Sequence, residues 1–156
     1  MKLYDISEPK DNKNHESEVV KPIFGIDLGT TNSLIALSNQ HKSNIIKIDG
    51  AKKIPSVVLY QKEGKPLVGA SAVDKDAAIH SVKRAIASHK AYSLDDDHNA
   101  IEISAEILRY LKENTEKELG TAVEEVVLTV PAHFDENSRN ATKQAAALAG
   151  LKVRRM

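Results

Sequence analysis

The residues Gly25-Ile26-Asp27-Leu28-Gly29-Thr30-Thr31-Asn32-Ser33 set a carboxylate, a glycine and a run of hydroxyl and amide side chains directly after a short apolar stretch. A strand that carries Asp27 to the edge of a sheet presents a carboxylate able to hold a hydrated Mg²⁺. In the turn that follows, Gly29 has no side chain to keep backbone N–H groups away from a phosphate. Thr30 and Thr31 add hydroxyl donors at the same point. A divalent ion, backbone amides and hydroxyls are what an ATP tail requires. The plainer alternative is a polar hairpin turn after a core strand. It explains Asp-x-Gly-Thr alone about equally well, but the whole nine-residue string poorly.

Other chemistries find less support. Gly64-Lys65 is followed by Pro66 and lacks the earlier glycine of a P-loop, and Gly25 and Gly29 do not have Rossmann spacing. The chain has no cysteine, which excludes disulfides, a thiol nucleophile and thiolate metal sites. His15, His41, His80, His89 and His98 show no metal-ligand spacing; His89 and His98 with Asp95–Asp97 read as an exposed acidic connection rather than a metal site. Ser33 has no base beside it in sequence, so no Ser/His/Asp nucleophilic set is recognisable.

The elements that must position the phosphate-binding string follow from apolar patterning. Ile23–Asp27 and Leu34–Leu37 flank a glycine-containing turn and predict a hairpin. Ile45–Ile48 before Asp49-Gly50 predicts a third strand, and Pro55 opens a fourth through Ser56-Val57-Val58-Leu59-Tyr60. A helix is expected after Ser104 as its cap, with Leu108, Leu111, Thr115 and Leu119 on one face, a Glu113–Lys117 pair on the other and Gly120 as its stop. Glu125–Val130 reads as a strand ended by Pro131. A second helix follows Asp135 and stops at Gly150, and Leu151–Val153 starts another strand. Antiparallel strands followed by helix, strand, helix, strand predict an α/β fold with a mixed sheet.

The 156 residues, 41% hydrophobic and 28% charged, suit one soluble domain. Lys plus Arg equals Asp plus Glu at 22 each, which removes the usual electrostatic case for nucleic acid or an acidic membrane as partner. No stretch approaches the roughly 20 apolar residues of a spanning helix. Residues 1–22 are polar, of mixed charge and broken by Pro9, and read as a flexible leader. They have neither the apolar core of a secretory signal nor the arginines of a mitochondrial one, so the expected location is cytoplasmic.

Three blocks in order resemble the seventy-kilodalton heat-shock chaperones of DnaK type. The first is the string around Asp27, and the second is Ser81-Val82-Lys83-Arg84. The third runs from Val126 through Thr129-Val130-Pro131-Ala132-His133-Phe134-Asp135 and Arg139 to Leu148-Ala149-Gly150-Leu151-Lys152-Val153. Ile6-Ser7-Glu8-Pro9 and Leu59-Tyr60-Gln61 look most like the HscA branch, devoted to iron–sulfur cluster assembly. The resemblance implies an incomplete actin-like (ribonuclease H-like) ATPase lobe over residues 23–156. It implies ATP/ADP and Mg²⁺ as cofactors, Asp27 in the metal's water shell, and Gly29, Thr30, Thr31 and Asn32 along the phosphates. Lys83 and Thr30 would join Asp27 in catalysis, and Pro131 and Arg139 would relay nucleotide state to a peptide-binding domain. A J-domain co-chaperone and an unfolded or iron–sulfur scaffold client are the implied partners. Taken alone, Lys83 is an ordinary solvated lysine, Pro131 a strand terminator and Arg139 a helix surface charge.

The chain also departs from the family pattern. It reaches Met156 before the Glu-Pro-Thr turn and the second phosphate loop, so weak ATP binding and negligible hydrolysis are expected of the 156 residues alone. Lys83 and Pro131 lie closer in sequence than the family usually has them, and His133 stands where it usually has tyrosine. Two other readings compete: a sugar or carboxylate kinase fragment of the actin-like superfamily, and a non-catalytic truncated relic. The Val130-Pro131-Ala132-x-Phe134 block counts against the kinase.

Overall fold

The computed structural model describes residues 22–39, 42–88 and 97–156. The leader up to Lys21, together with His15, His41, His89, Asp95 and Asp96, lies outside them. The strands are β1 (Ile23–Asp27), β2 (Asn32–Ser38), β3 (Ser43–Ile45), β4 (Ile54–Pro55), β5 (Val58–Leu59), β6 (Leu67–Val68), β7 (Glu125–Thr129) and β8 (Lys152–Arg155). The α-helices are α1 (Val82–Ala87), α2 (Ala100–Leu119) and α3 (Glu136–Leu148).

The main sheet has the order β3-β2-β1-β7-β8, with β4 also pairing β2. The β1–β2 pair is antiparallel, whereas β7 runs parallel to β1 and β8 parallel to β7. This is the mixed sheet expected from the element order. Alternation along β1 and β7 sends Phe24, Ile26, Val126 and Leu128 to the buried face, while Ile23, Asp27, Glu125 and Thr129 are exposed. Helices α2 and α3 pack on each other and close the core through Ile103, Ile107, Leu108, Leu111, Ala145 and Ala146, each at most 1% exposed. Among the described residues no helix is long and apolar enough to cross a membrane.

Several boundaries differ from the sequence expectation. Helix α2 begins at Ala100, not after Ser104, because Asn99 forms a capping box: its Oδ1 accepts from the N–H groups of Ile101 (2.9 Å) and Glu102 (3.0 Å), and Glu102 Oε2 accepts from the Asn99 N–H (2.9 Å). Ser104 is buried inside the helix, and its hydroxyl has no hydrogen-bond partner among the described residues. Removing the cap with Asn99→Ala should cost about 0.5–2 kcal/mol. Urea unfolding should read this as a lower midpoint with an unchanged slope. Gly120, in the left-handed region at φ 64°, ends α2 as expected. Glu113 pairs with Lys65 (3.2 Å) rather than with Lys117.

The third strand is Ser43–Ile45 rather than Ile45–Ile48; Ile48 instead bridges Ala51 across the Asp49-Gly50 turn. The single strand expected from Pro55 to Tyr60 is divided in two. Ile54–Pro55 joins β2, the Ser56 N–H turns to the Thr31 carbonyl (2.8 Å), and Val58–Leu59 pairs with β6 in a separate two-stranded sheet. Helix α1 has no counterpart in the sequence reading. Asp135 caps α3 as expected, its Oδ1 accepting from the Ser138 N–H (2.9 Å).

Candidate functional site

Strand β1 ends on Asp27, and its parallel neighbour β7 ends in register on Thr129. The Thr129 hydroxyl donates to Asp27 Oδ1 (2.7 Å), so the adjacent strand orients the carboxylate. Antiparallel pairing of Asp27 with Leu34 then confines the chain between them to one tight turn. Gly29 is required there by space. A Cβ at this position would lie 2.0 Å from the backbone oxygen of Asn32. This adds a packing reason for glycine to the one read from sequence, and its own N–H is engaged by Ser33 Oγ (3.2 Å). Among the described residues, the N–H groups and hydroxyls of Thr30 and Thr31 have no hydrogen-bond partner. Two adjacent peptide donors and two hydroxyls beside a carboxylate are a donor set chemically suited to an anion, with an oxygen ligand suited to a cation at its edge.

Lys83 approaches this region from α1. It is half-buried, and desolvation lowers its pKa from 10.5, an effect partly opposed by the charge of Asp27. The two side chains feel each other without forming an ion pair, which leaves the ammonium available to a third group. The Lys83 Nζ stands 6.0 Å from the centre of the Phe134 ring, at the outer limit of a cation–π contact.

Phe134 connects the remaining candidates. Its N–H donates to the Pro131 carbonyl (3.1 Å), and its own carbonyl accepts from Arg139 Nε (3.1 Å). The structure therefore brings Asp27, Gly29, Thr30, Thr31 and Asn32 together on one turn, and joins Lys83 to Pro131 and Arg139 through Phe134. His133 is exposed and meets the Phe134 ring edge-on at 5.7 Å.

Sequence reasoning missed four residues of this neighbourhood as functional: Ser33, Ser56, Thr129 and Phe134. Only Phe134 had a local signal, the Pro131-x-x-Phe134 spacing of a turn that closes from i to i+3. Among the described residues no group of three or more His, Asp or Glu side chains is arranged to ligate a metal.

A family model described as Hsp70 protein matches residues 23–94 and 89–156. The chain belongs to the Hsp70 family. Its mixed sheet and flanking helices are accordingly part of the actin-like fold of that family's ATPase domain. A chaperone protein DnaK of Ureaplasma parvum is 42% identical over 140 residues, which take in 86% of this chain and 23% of the relative. Those of Mesomycoplasma hyopneumoniae and Ureaplasma urealyticum are 42% and 41% identical over the same shares. The chain thus spans about a quarter of the length of the curated relatives it matches. An alignment of 140 positions covering 86% of the chain leaves room for only a few extra residues in these relatives, so they share the short span between Lys83 and Pro131. They carry the name DnaK, which supports the family at large and not the HscA branch.

Proposed function

We propose that this chain is the phosphate-gripping part of an ATP-dependent protein-folding chaperone, with residues 1–22 as a leader and 23–156 as part of its nucleotide-binding domain. The observation that carries the reading is the pair of unpartnered peptide N–H groups at Thr30 and Thr31, set beside the Asp27 carboxylate. The donor set suits Mg²⁺ held through water: one oriented carboxylate, with no Lys or Arg paired to it among the described residues, and adjacent donors for phosphates. When bound, Mg²⁺ supplies charge neutralisation on the phosphate oxygens. Asp27 would hold its water shell, with Thr129 fixing the carboxylate rotamer. Thr30, Thr31 and Asn32 bind and orient the phosphates, while Gly29 gives the turn its close approach. The Lys83 ammonium stands at the point of developing charge.

In the whole protein, hydrolysis would bias a peptide-binding domain between open and closed states. The chain from Lys83 through Phe134 to Pro131 and Arg139 is a physical connection by which the site could be felt at α3. A J-domain co-chaperone and an unfolded client in the cytoplasm complete this reading. A finer version has an iron–sulfur scaffold as client, supported by Ile6-Ser7-Glu8-Pro9 and Leu59-Tyr60-Gln61.

Calorimetric titration of the 156-residue chain with MgATP tests the proposal. Binding should be weak, about −4 to −5 kcal/mol or a Kd near ~1 mM, and should vanish with Asp27→Asn. Hydrolysis by the same sample should be negligible. Binding that survives Asp27→Asn unchanged would refute the assignment, and a chain that binds no nucleotide would favour the relic instead.

A further inference from the structure

We propose that Ser56, acting through Ser33, is a positioning residue for the phosphate-binding turn; the proposal rests on the reading of that turn given above. Ser33 and Ser56 are 1% and 2% exposed, yet their hydroxyls are fully engaged. The Gly29 N–H donates to Ser33 Oγ (3.2 Å), Ser56 Oγ donates to the Gly29 carbonyl (2.8 Å), and the two hydroxyl oxygens are 2.8 Å apart. Proton counting fixes the direction of the third bond. The single hydroxyl proton of Ser56 goes to Gly29, so Ser33 must donate to Ser56. The result is a closed ring in which each hydroxyl donates once and accepts once, and both peptide groups of Gly29 are bound by side chains.

This ring decides how the turn presents its donors. With the N–H and carbonyl of Gly29 both engaged by buried serines, the following peptide planes have little freedom left. The backbone N–H of Ser56 also takes the Thr31 carbonyl (2.8 Å), so one residue holds the turn at both ends. The N–H groups of Thr30 and Thr31, lying between these anchor points, remain unpartnered among the described residues. Thr30, Thr31, Asn32, Pro55, Ser56 and Ser81 line part of a cavity of about 280 Å³, and Ser81 directly precedes the helix carrying Lys83. Ser56 has its hydroxyl and its backbone N–H committed to the turn. It therefore acts by pre-setting the donors and not by touching the ligand.

Solution NMR of the 156-residue chain, following the Thr30 and Thr31 amides during titration with MgATP, tests this. Such spectra report the folded population, so a loss of stability alone leaves the fitted Kd unmoved. Ser56→Ala should raise Kd about tenfold, equivalent to 1.4 kcal/mol, and Ser56→Thr, which keeps the hydroxyl, should restore it to within about threefold. Should Ser56→Ala fail to fold, Ser33→Ala breaks the same ring from the hairpin side and should weaken binding comparably. The double variant should bind about as well as either single one, since the ring fails as a unit. Equal Kd values for the unsubstituted chain, Ser56→Ala and Ser33→Ala would overturn this inference while leaving the phosphate site standing. The absence of any nucleotide-dependent shift in the unsubstituted chain would instead remove the site and the inference together.

Discussion

Lys83→Ala should lower ATP turnover about 10²–10³-fold in a full-length protein that contains this chain, the usual cost of deleting one preorganised group at the point of developing charge. The Lys83 ammonium is half-buried, its pKa is lowered by desolvation, and Asp27 is near enough to be felt without capturing it. A cation in that state interacts with a developing negative charge more strongly than a solvated lysine would. The loss should therefore fall on kcat, with nucleotide affinity changed much less. Single-turnover kinetics beside equilibrium binding separates the two. Lys83→Arg should not restore the rate, because a planar fork does not replace a compact point charge. Turnover by Lys83→Ala within about threefold of the parent would sink the role assigned to this side chain, since a factor that small is under 1 kcal/mol of transition-state stabilisation.

Gly29→Ala should do damage of a different kind. The new methyl group would sit 2.0 Å from the Asn32 carbonyl oxygen, a backbone atom that cannot rotate aside. Relief requires the turn to open, and overpacking of this sort costs about 1–3 kcal/mol. Opening also breaks the serine ring and swings the Thr30 and Thr31 donors out of position, so MgATP affinity should fall at least about tenfold. Gly25→Ala is the control. It stands two residues before Asp27 on the same strand, and a Cβ there meets nothing within 4 Å. Denaturation midpoints and calorimetric affinities for the two variants should differ in both respects. Equal tolerance of both substitutions would show that the turn is not held as tightly as the geometry requires.

What could be read from sequence was what is local. The hairpin around Gly29 is announced by apolar runs on either side of a turn, and Asp135 stands immediately before a helical pattern, where its cap bond reaches only three residues ahead. Asn99 was overlooked because the neighbouring Asp95, Asp96, Asp97 and His98 suggest a loop, although Glu102 three residues on completes the capping box. The ordering of β1 with β7 required knowledge of register. Only parallel pairing of Asp27 with Thr129 brings together two residues 102 positions apart. Ser56 reaches Gly29 across 27 positions, and nothing in the alternation of apolar residues marks a serine as a clamp rather than a strand-end polar group. The break between β4 and β5 is equally unmarked: the Ser56 N–H still bonds to Thr31 in continuation of the β4–β2 register, whereas Val58 and Leu59 change partner to β6. Long-range hydroxyl contacts carry no periodic signature, so this shell around Asp27 and Gly29 emerged only from the folded arrangement.

The central claim is that the turn from Asp27 to Thr31 grips a metal-bound triphosphate. Its most direct measurement replaces Mg²⁺ by paramagnetic Mn²⁺, added with ATP to the isotope-labelled chain, and follows the broadening of each backbone amide. The account predicts broadening concentrated on residues 27–31 and on Lys83, lost when Asp27→Asn is introduced. Broadening centred elsewhere, with the amides of Asp27, Thr30 and Thr31 left sharp, would contradict it.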